Sequence, residues 1–314
     1  MNRVMVLGSI NVDTTLHLDH LPHPGETIFA RQKTWAGGGK GANQAIAASR
    51  LGAQISFMGK VGEDSHGKAM IEALNKEGID TSRIRISEQG TGEACILLDP
   101  AGQNSIIVHP GANQDIRSED IDRLLSGMAD YDLLMTQFET PVAAAVRAFR
   151  MAKERHVLTV LNPAPALESV DPELYQLTDL IIPNETESEA LTGIKITNEA
   201  SMKRSTAFFT EKGVGAAVIT LGAEGAYYDL PEKGSGIIPA HKVRVVDTTA
   251  AGDTFIGALS TRLNRNLSNL AEAVAYANVA ASLTVQQLGA QPSIPARKAV
   301  EAVEQSGTNG YRYH

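Results

Sequence analysis

The 314-residue sequence contains one cysteine, Cys95, and one tryptophan, Trp35, and aromatic residues make up only 5% of it. A lone thiol excludes an intramolecular disulfide, and no Cys/His grouping has the spacing of a zinc site. No apolar run approaches the roughly 20 residues that a membrane span requires. The opening "MNRVMVLGSINVD" enters a strand-like pattern without signal-peptide architecture, so a soluble, cytoplasmic protein is expected. Positive charge is also scarce: 28 Lys and Arg face 36 Asp and Glu, a formal charge of -8. Such a balance gives no broad electrostatic footprint for nucleic acid or an anionic membrane surface, and a small-molecule partner is expected instead.

What is present is enough apolar material for a large core, 43% of residues, together with 28 glycines. The length suits one large α/β unit over residues 1–314 with an appendage. Short β-rich runs at 4–7, 55–58, 133–136, 158–161, 180–182 and 217–220 alternate with helical patterns at 41–51, 67–77, 118–128, 141–155, 185–191, 200–212, 253–263, 270–286 and 296–304. This alternation predicts a Rossmann-like, doubly wound, mainly parallel sheet flanked by helices. Two segments break it. Residues 16–35 and 93–109, the latter "EACILLDPAGQNSIIVH", have period-2 patterning and turn residues but few helix signals. They read either as ordinary edge hairpins or as one small projecting sheet, a lid with strands inserted at about 14–36 and 92–110.

The stretch "DTTAAGDTFIGAL" (247–259) carries the sharpest chemistry. Phe255, Ile256, Leu259 and Leu263 keep helical spacing, which puts Ala250, Ala251 and Gly252 at a helix N-terminus. Small residues there leave amide N–H groups approachable, and the helix dipole adds positive potential, so the turn is an anion site. Asp253 is then either a first-turn acid or a base that takes a proton from a hydroxyl attacking phosphorus.

"WAGGGKGANQAIAASRLG" (35–52) leads three glycines into a helix of small residues. Gly37, Gly39 and Ala42 satisfy a G-x-G-x-x-A dinucleotide fingerprint, but that motif should follow the first strand directly and this one starts some thirty residues later. Lys40 and Asn43 instead supply a cation and a bidentate amide suited to polyol hydroxyls; a purely structural turn is the plainer alternative. "GEDSHGKA" (62–69) nearly spells a phosphate loop, yet Ala69 replaces the required hydroxyl and Glu63 and Asp64 repel phosphate, so it reads as a capped helix start. "GSINVD" (8–13) is placed at the end of the first core strand, with Asn11 and Asp13 as sugar ligands or turn formers. In "PNETESEALTG" (183–193), Asn184 and Glu187 either serve the helix dipole or order hydrated Mg2+ beside a nucleotide. "TLGAEGAYY" (220–228) and "GAQPSIP" (289–295) read as glycine-containing loops.

In this order, "GGGKGANQA" and "DTTAAGDTFIGAL", with "GSINVD", "NPAPA", "IIPNETE" and "GAQPSIP", resemble the ribokinase-like carbohydrate kinases of the phosphofructokinase-B type over nearly the whole chain. The resemblance implies transfer of the γ-phosphoryl group of MgATP to the 5-hydroxyl of D-ribose. It implies Asp253 as base, the amides of Ala250, Ala251 and Gly252 as anion hole, and Asn11, Asp13, Gly38, Gly39, Lys40, Asn43 and Glu139 around the sugar. Asn184, Thr220, Gly222, Gly252 and Asn278 would border the nucleotide, and Glu187 would hold Mg2+ through water. Asp247, Thr249, Thr284, Gln287, Gly289 and Ser293 match a monovalent-cation (K+) site, mostly through backbone carbonyls. The family's small sheet covers the sugar and commonly builds a homodimer.

Three other readings stand beside this one. A kinase for deoxyribose, fructose or a nucleoside would use the same scaffold; a sugar-binding regulator would have lost catalysis; a dinucleotide oxidoreductase would need its fingerprint elsewhere. The intact Asp253 loop speaks against the regulator.

Overall fold

Strand β1 (Arg3–Leu7) buries four of its five side chains, Val4 and Val6 in one apolar layer and Met5 and Leu7 in the other. A strand covered on both faces belongs inside a parallel sheet, and its continuous apolar run follows from that position. The structure, a computed structural model, describes residues 1–124 and 128–307.

After β1 come β2 (Asn11–His17), β3 (Gln32–Gly38), α1 (Lys40–Arg50), β4 (Gln54–Gly62), α2 (Ser65–Lys76), β5 (Asp80–Ser87), β6 (Gly92–Leu98) and β7 (Asn104–His109). There follow α3 (Ser118–Leu124), β8 (Leu133–Thr136), α4 (Val142–Lys153), β9 (Leu158–Leu161), α5 (Pro172–Gln176), β10 (Leu180–Ile181), α6 (Glu185–Thr192) and α7 (Glu199–Glu211). The last third adds β11 (Ala216–Thr220), β12 (Ala226–Leu230), β13 (Gly234–Ile238), α8 (Ala251–Arg262), α9 (Leu270–Thr284) and α10 (Arg297–Gly307).

Among the described residues the strands form a nine-stranded sheet, β13-β12-β11-β10-β9-β8-β1-β4-β5, and a four-stranded one, β3-β2-β6-β7. The large sheet is parallel from β11 to β5, with β12 and β13 as an antiparallel edge. From β1 the chain winds outward through β4 and β5, then returns to β8 on the other side of β1. The crevice at the C-terminal ends of β1 and β8 is therefore the switch point where open α/β sheets collect ligands.

Helix α1 can press onto this crevice because its inner face is small. A side-chain carbon at Gly41 would stand 2.6 Å from Gly8 Cα. Helix α8 packs on α1 through Gly257 in the same way, with 2.5 Å to Ala47 Cβ. At the near-miss phosphate loop, Asp64 Oδ1 accepts from Gly67 N at 2.7 Å as the N-cap of α2, as its acidic sequence predicts.

The small sheet is one body, as the lid reading expects, but its bounds differ. Its strands run over Asn11–His17 and Gln32–Gly38, with no strand at 18–31, and over Gly92–Leu98 and Asn104–His109. The run "GSINVD" does not end the first core strand. β1 stops at Leu7, residues 8–10 turn the chain out of the large sheet, and Asn11 and Asp13 lie on strand β2 of the small sheet. β5 was missed because "TSRIRIS" alternates arginine with apolar residues at a sheet edge. The loop reading of 220–228 gives way at Ala226, where β12 begins the edge hairpin. α5 was also missed, being one turn opened by Asp171 and Pro172. The helix expected over 118–128 is seen as α3, and its residues 125–127 lie outside the described residues. Among those described, no helix is long and apolar enough to cross a membrane.

Candidate active site

Ala250 is the N-cap of α8 in the left-handed region, φ 59°. This turn brings residues 248–253 to the crevice with short side chains. The amides of Gly252 and Asp253 have no hydrogen-bond partner among the described residues, whereas Ala251 N donates to Thr248 O at 3.2 Å. A carbon added at Gly252 would meet nothing within 4 Å, so its backbone is open to a ligand. Of the three amides expected to bind an anion, Ala251 is thus engaged in a turn that an incoming phosphate would have to share.

Asp253 is only 9% exposed. Its Oδ2 accepts from Asn43 Nδ2 at 3.0 Å and its Oδ1 from Gln44 Nε2 at 3.1 Å. Burial pushes its pKa above the ordinary carboxylate value; Lys40, Asn43 and Gln44 oppose that shift without cancelling it. A buried carboxylate of raised basicity beside free first-turn amides can accept a proton where negative charge gathers on phosphorus oxygens.

The expected sugar ligands converge on the same place. Glu139, just past β8, accepts through Oε2 from Ser9 Oγ and from Lys40 N, the latter at 2.9 Å. Asn11 Oδ1 accepts from Asn113 Nδ2 at 2.7 Å. Asp13 is pushed up to about 6 by burial first, then by Glu139 and Asp253. Lys40 is held above the usual lysine value: burial works against its charge, but Asp253, Glu139 and Glu187 outweigh it. The glycine run has a steric reason. A carbon at Gly38 would lie 2.1 Å from Asp13 Oδ2, and Gly39, at φ 90°, would place one 2.9 Å from Asn11 N.

A cavity of about 220 Å³ opens beside these groups, lined by Lys40, Asn184, Glu187, Thr220, Gly252 and Asp253 among others. A larger cleft of about 610 Å³ near Arg117 shares no residue with it, and Lys60 on its wall is already paired with Asp115 and Asp120. Asn184 and Glu187 form a reciprocal capping box, Asn184 N to Glu187 Oε2 at 2.9 Å and Glu187 N to Asn184 Oδ1 at 2.8 Å. The two residues therefore cap their helix, and they also face the cavity. Burial pushes Glu187 up, partly offset by the Asn184 amide and Lys40. Gly222, at φ 55°, follows β11 with open space around it. Asn278 does not line the cavity; its Nδ2 donates to Ile238 O at 2.9 Å and Pro239 O at 3.3 Å, fixing the exit of β13.

Of the expected cation ligands, Asp247, Thr249 and Gly289 are joined directly. Asp247 Oδ1 accepts from Thr249 N at 2.9 Å and Oγ1 at 2.6 Å, and Oδ2 from Gly289 N at 2.9 Å. The carbonyls of Thr249, Gln287 and Gly289 accept no hydrogen bond among the described residues. Thr284 and Ser293 are buried, and their hydroxyls bond to Thr254 Oγ1 and Ala290 O.

Several residues of the site were not legible as such. Gln44 lay unremarked inside the glycine motif, and Asn162 inside "NPAPA". Ser9 and Gln291 likewise lay unremarked inside "GSINVD" and "GAQPSIP", and Asn113 and Gln137 gave no signal, because each matters only through partners far away in sequence.

Residues 1–297 match the family described as pfkB family carbohydrate kinase. The chain belongs to the pfkB family of carbohydrate kinases. It is 45% identical over 304 residues to a ribokinase of Staphylococcus aureus, covering 96% of this chain and 99% of that protein. It is also 45% identical over 302 residues to a bifunctional ribokinase/ribose-5-phosphate isomerase A of Fructilactobacillus sanfranciscensis, of which it spans 56%. The structure of Arabidopsis thaliana ribokinase complexed with ribose and ATP superposes with a TM-score of 0.87 at 31% identity, covering 96% of this chain and 98% of that one. The pfkB fold thus places "GGGKGANQA" and "DTTAAGDTFIGAL", more than 200 residues apart in the chain, on either side of one carboxylate.

Proposed function

We propose that this protein is an ATP-dependent sugar kinase that transfers the γ-phosphoryl group to the 5-hydroxyl of D-ribose, giving D-ribose 5-phosphate and ADP. The observation that carries the reading is Asp253: buried, held by two amides, and next to helix amides with no partner among the described residues. The sugar oxygen bonds to the γ-phosphorus as the bond to the β,γ-bridging oxygen breaks, and the hydroxyl proton passes to Asp253. The turn Ala250–Gly252 holds the charge that develops on the transferring oxygens. Asn11, Asp13, Gly38, Gly39, Lys40, Asn43 and Glu139 orient the sugar, and Lys40 adds positive charge beside the phosphoryl path. Asn184, Thr220 and Gly222 border the nucleotide, while Asn278 acts from outside the cavity by fixing β13.

Glu187 suits Mg2+ held through water, because its Oε2 is committed to the cap and its Oε1 makes no hydrogen bond among the described residues. When bound, that ion neutralises charge on the phosphates. The free carbonyls of Thr249, Gln287 and Gly289, with Asp247, Thr284 and Ser293 beside them, form an all-oxygen set that suits K+. A bound alkali cation there would supply fixed positive charge next to the anion-binding turn. The reading extends to one soluble, cytoplasmic kinase unit with the small sheet as its lid. It also extends to a homodimer through that sheet, where Trp35, Ile106, Ile107 and Val108 are exposed. A monomer in sedimentation velocity at micromolar concentration would refute the dimer.

The test is ADP release from MgATP with ribose, 2-deoxyribose, fructose and adenosine, each with potassium and without monovalent cations. Ribose-dependent turnover stimulated by potassium is expected. Preference for another acceptor overturns the substrate assignment, and ribose binding without turnover overturns the kinase.

A further inference from the structure

Gln44 has no exposed surface, and both hydrogens of its carboxamide nitrogen and its carbonyl oxygen are hydrogen-bonded. Its Nε2 donates to Asp253 Oδ1 at 3.1 Å and to Asn162 Oδ1 at 3.0 Å, and its Oε1 accepts from Gln137 Nε2 at 2.6 Å. Asn162 is oriented in turn, since its Nδ2 donates to Ile182 O at 3.0 Å. The chain of amides therefore runs in one direction only. Gln137 lies just past β8, Asn162 just past β9, and Gln44 on α1, so two strand ends of the switch-point crevice hold the one carboxamide that bonds to an oxygen of the acid on α8.

We infer that Gln44 is a positioning residue for phosphoryl transfer: it fixes the rotation of the Asp253 carboxylate and presents it with an N–H that cannot reverse. The inference rests on the reading of Asp253 as base. A flipped Gln44 would aim a carbonyl oxygen at a carboxylate and leave Gln137 Nε2 facing a donor, so the network admits one orientation. Amides do not titrate near neutrality, so the relay holds the carboxylate without giving or taking the proton that catalysis moves. A hydrogen bond donated to the ionised form also keeps the buried acid deprotonated, against the desolvation that favours its neutral form. The charged groups around Asp253 are Lys40 from α1, Glu139 from the loop after β8, Asp13 from β2 and Glu187 from α6. None of them bonds to Gln44, whose side-chain partners are Asp253, Asn162 and Gln137.

The experiment is the pH dependence of kcat at saturating ribose and MgATP for the full-length enzyme and for Gln44→Met, an unbranched apolar replacement of similar length. Saturation keeps Asp13, which acts through sugar binding, out of the profile. The acid limb should move to higher pH by about one unit, so that kcat falls by up to about tenfold along that limb and recovers as pH rises above it. The KM for ribose should change less than about threefold, because Gln44 offers the sugar no surface. A uniform loss at every pH with an unmoved limb overturns the inference and leaves Gln44 a packing residue. Gln137→Met, which touches neither Asp253 nor ligand, should shift the limb the same way but less. If Gln44→Met does not fold, Gln137→Met decides by the same criterion. Asp253→Asn separates the two claims: near-normal turnover there overturns the base and the relay together. Collapsed turnover there, with an unmoved limb in both Gln variants, overturns the relay alone.

Discussion

Asn43 Nδ2 stands 3.0 Å from Asp253 Oδ2, joining the glycine-led helix α1 to the first turn of α8 across 210 residues of sequence. The contact makes Asn43 a brace for Asp253, and in the proposed function Asn43 is a sugar ligand as well. Asn43→Ala should therefore raise the KM for ribose and lower kcat together, each by about tenfold or more. Asp253→Asn keeps the shape, gives up one of the two hydrogen bonds that the carboxylate accepts, and cannot take the proton. Its kcat should fall by about 10³ or more, with ribose affinity by calorimetry within a few-fold of the parent. A variant retaining a tenth of the parent turnover would remove Asp253 from the role of base.

Asp247 ties two loops through three accepted hydrogen bonds, two from Thr249 and one from Gly289. Those bonds hold it below the ordinary carboxylate range despite the cost of burial. Asp247→Ala should release the 247–252 turn from the 287–293 loop. Potassium titrations of the variant should lose their stimulation, and the KM for MgATP should rise several-fold while ribose binding persists. Unchanged potassium dependence would show that the cation, if used, binds elsewhere.

Gly257 is where α8 crosses α1, and an added carbon would stand 2.5 Å from Ala47 Cβ and 2.7 Å from Gln44 O. Gly257→Ala must push the two helices apart, at a cost of about 1–3 kcal/mol. Because Asp253 and its two amide donors sit on those helices, kcat should fall along with the melting temperature. An unshifted melting temperature would mean that the helix pair is looser than its packing indicates.

Asp13 titrates at about 6 in the folded protein against an ordinary 3.8. Between these values the native state binds the proton more tightly than the unfolded chain, so stability falls as pH rises through that window. Asp13→Asn removes the buried charge. It should be more stable than the parent by roughly 2 kcal/mol at pH 8, with allowance for partial exposure, and show no advantage below pH 4. Thermal denaturation across that range measures the difference, and a constant difference with pH would contradict it. Ribose binding should weaken in the same variant, the usual trade between a strained site and stability.

Much of the molecule follows from local pattern. The core strands around β1, the helices on both faces and the small-residue turn that opens α8 are legible because apolar periodicity and glycine placement reflect short-range geometry. β5 and the hairpin β12–β13 were not, since edge strands exposed to solvent lose the continuous apolar run that marks a buried one. The small sheet was legible as a break in the pattern, and its reach was not. That Asn11 and Asp13 ride on β2, and so on the small sheet, follows from a turn at residues 8–10 that no periodicity marks.

The sequence by itself determined the elements, their alternation and the two motifs that bear the chemistry, because these depend on residues close together in the chain. Only the tertiary structure decided which amides hold Asp253, that Ala251 is engaged by Thr248, and that Asn278 fixes a hairpin instead of lining the cavity. Hydrogen bonds between residues far apart in the chain depend on orientation and burial, and neither exists until the sheet has brought its strand ends together.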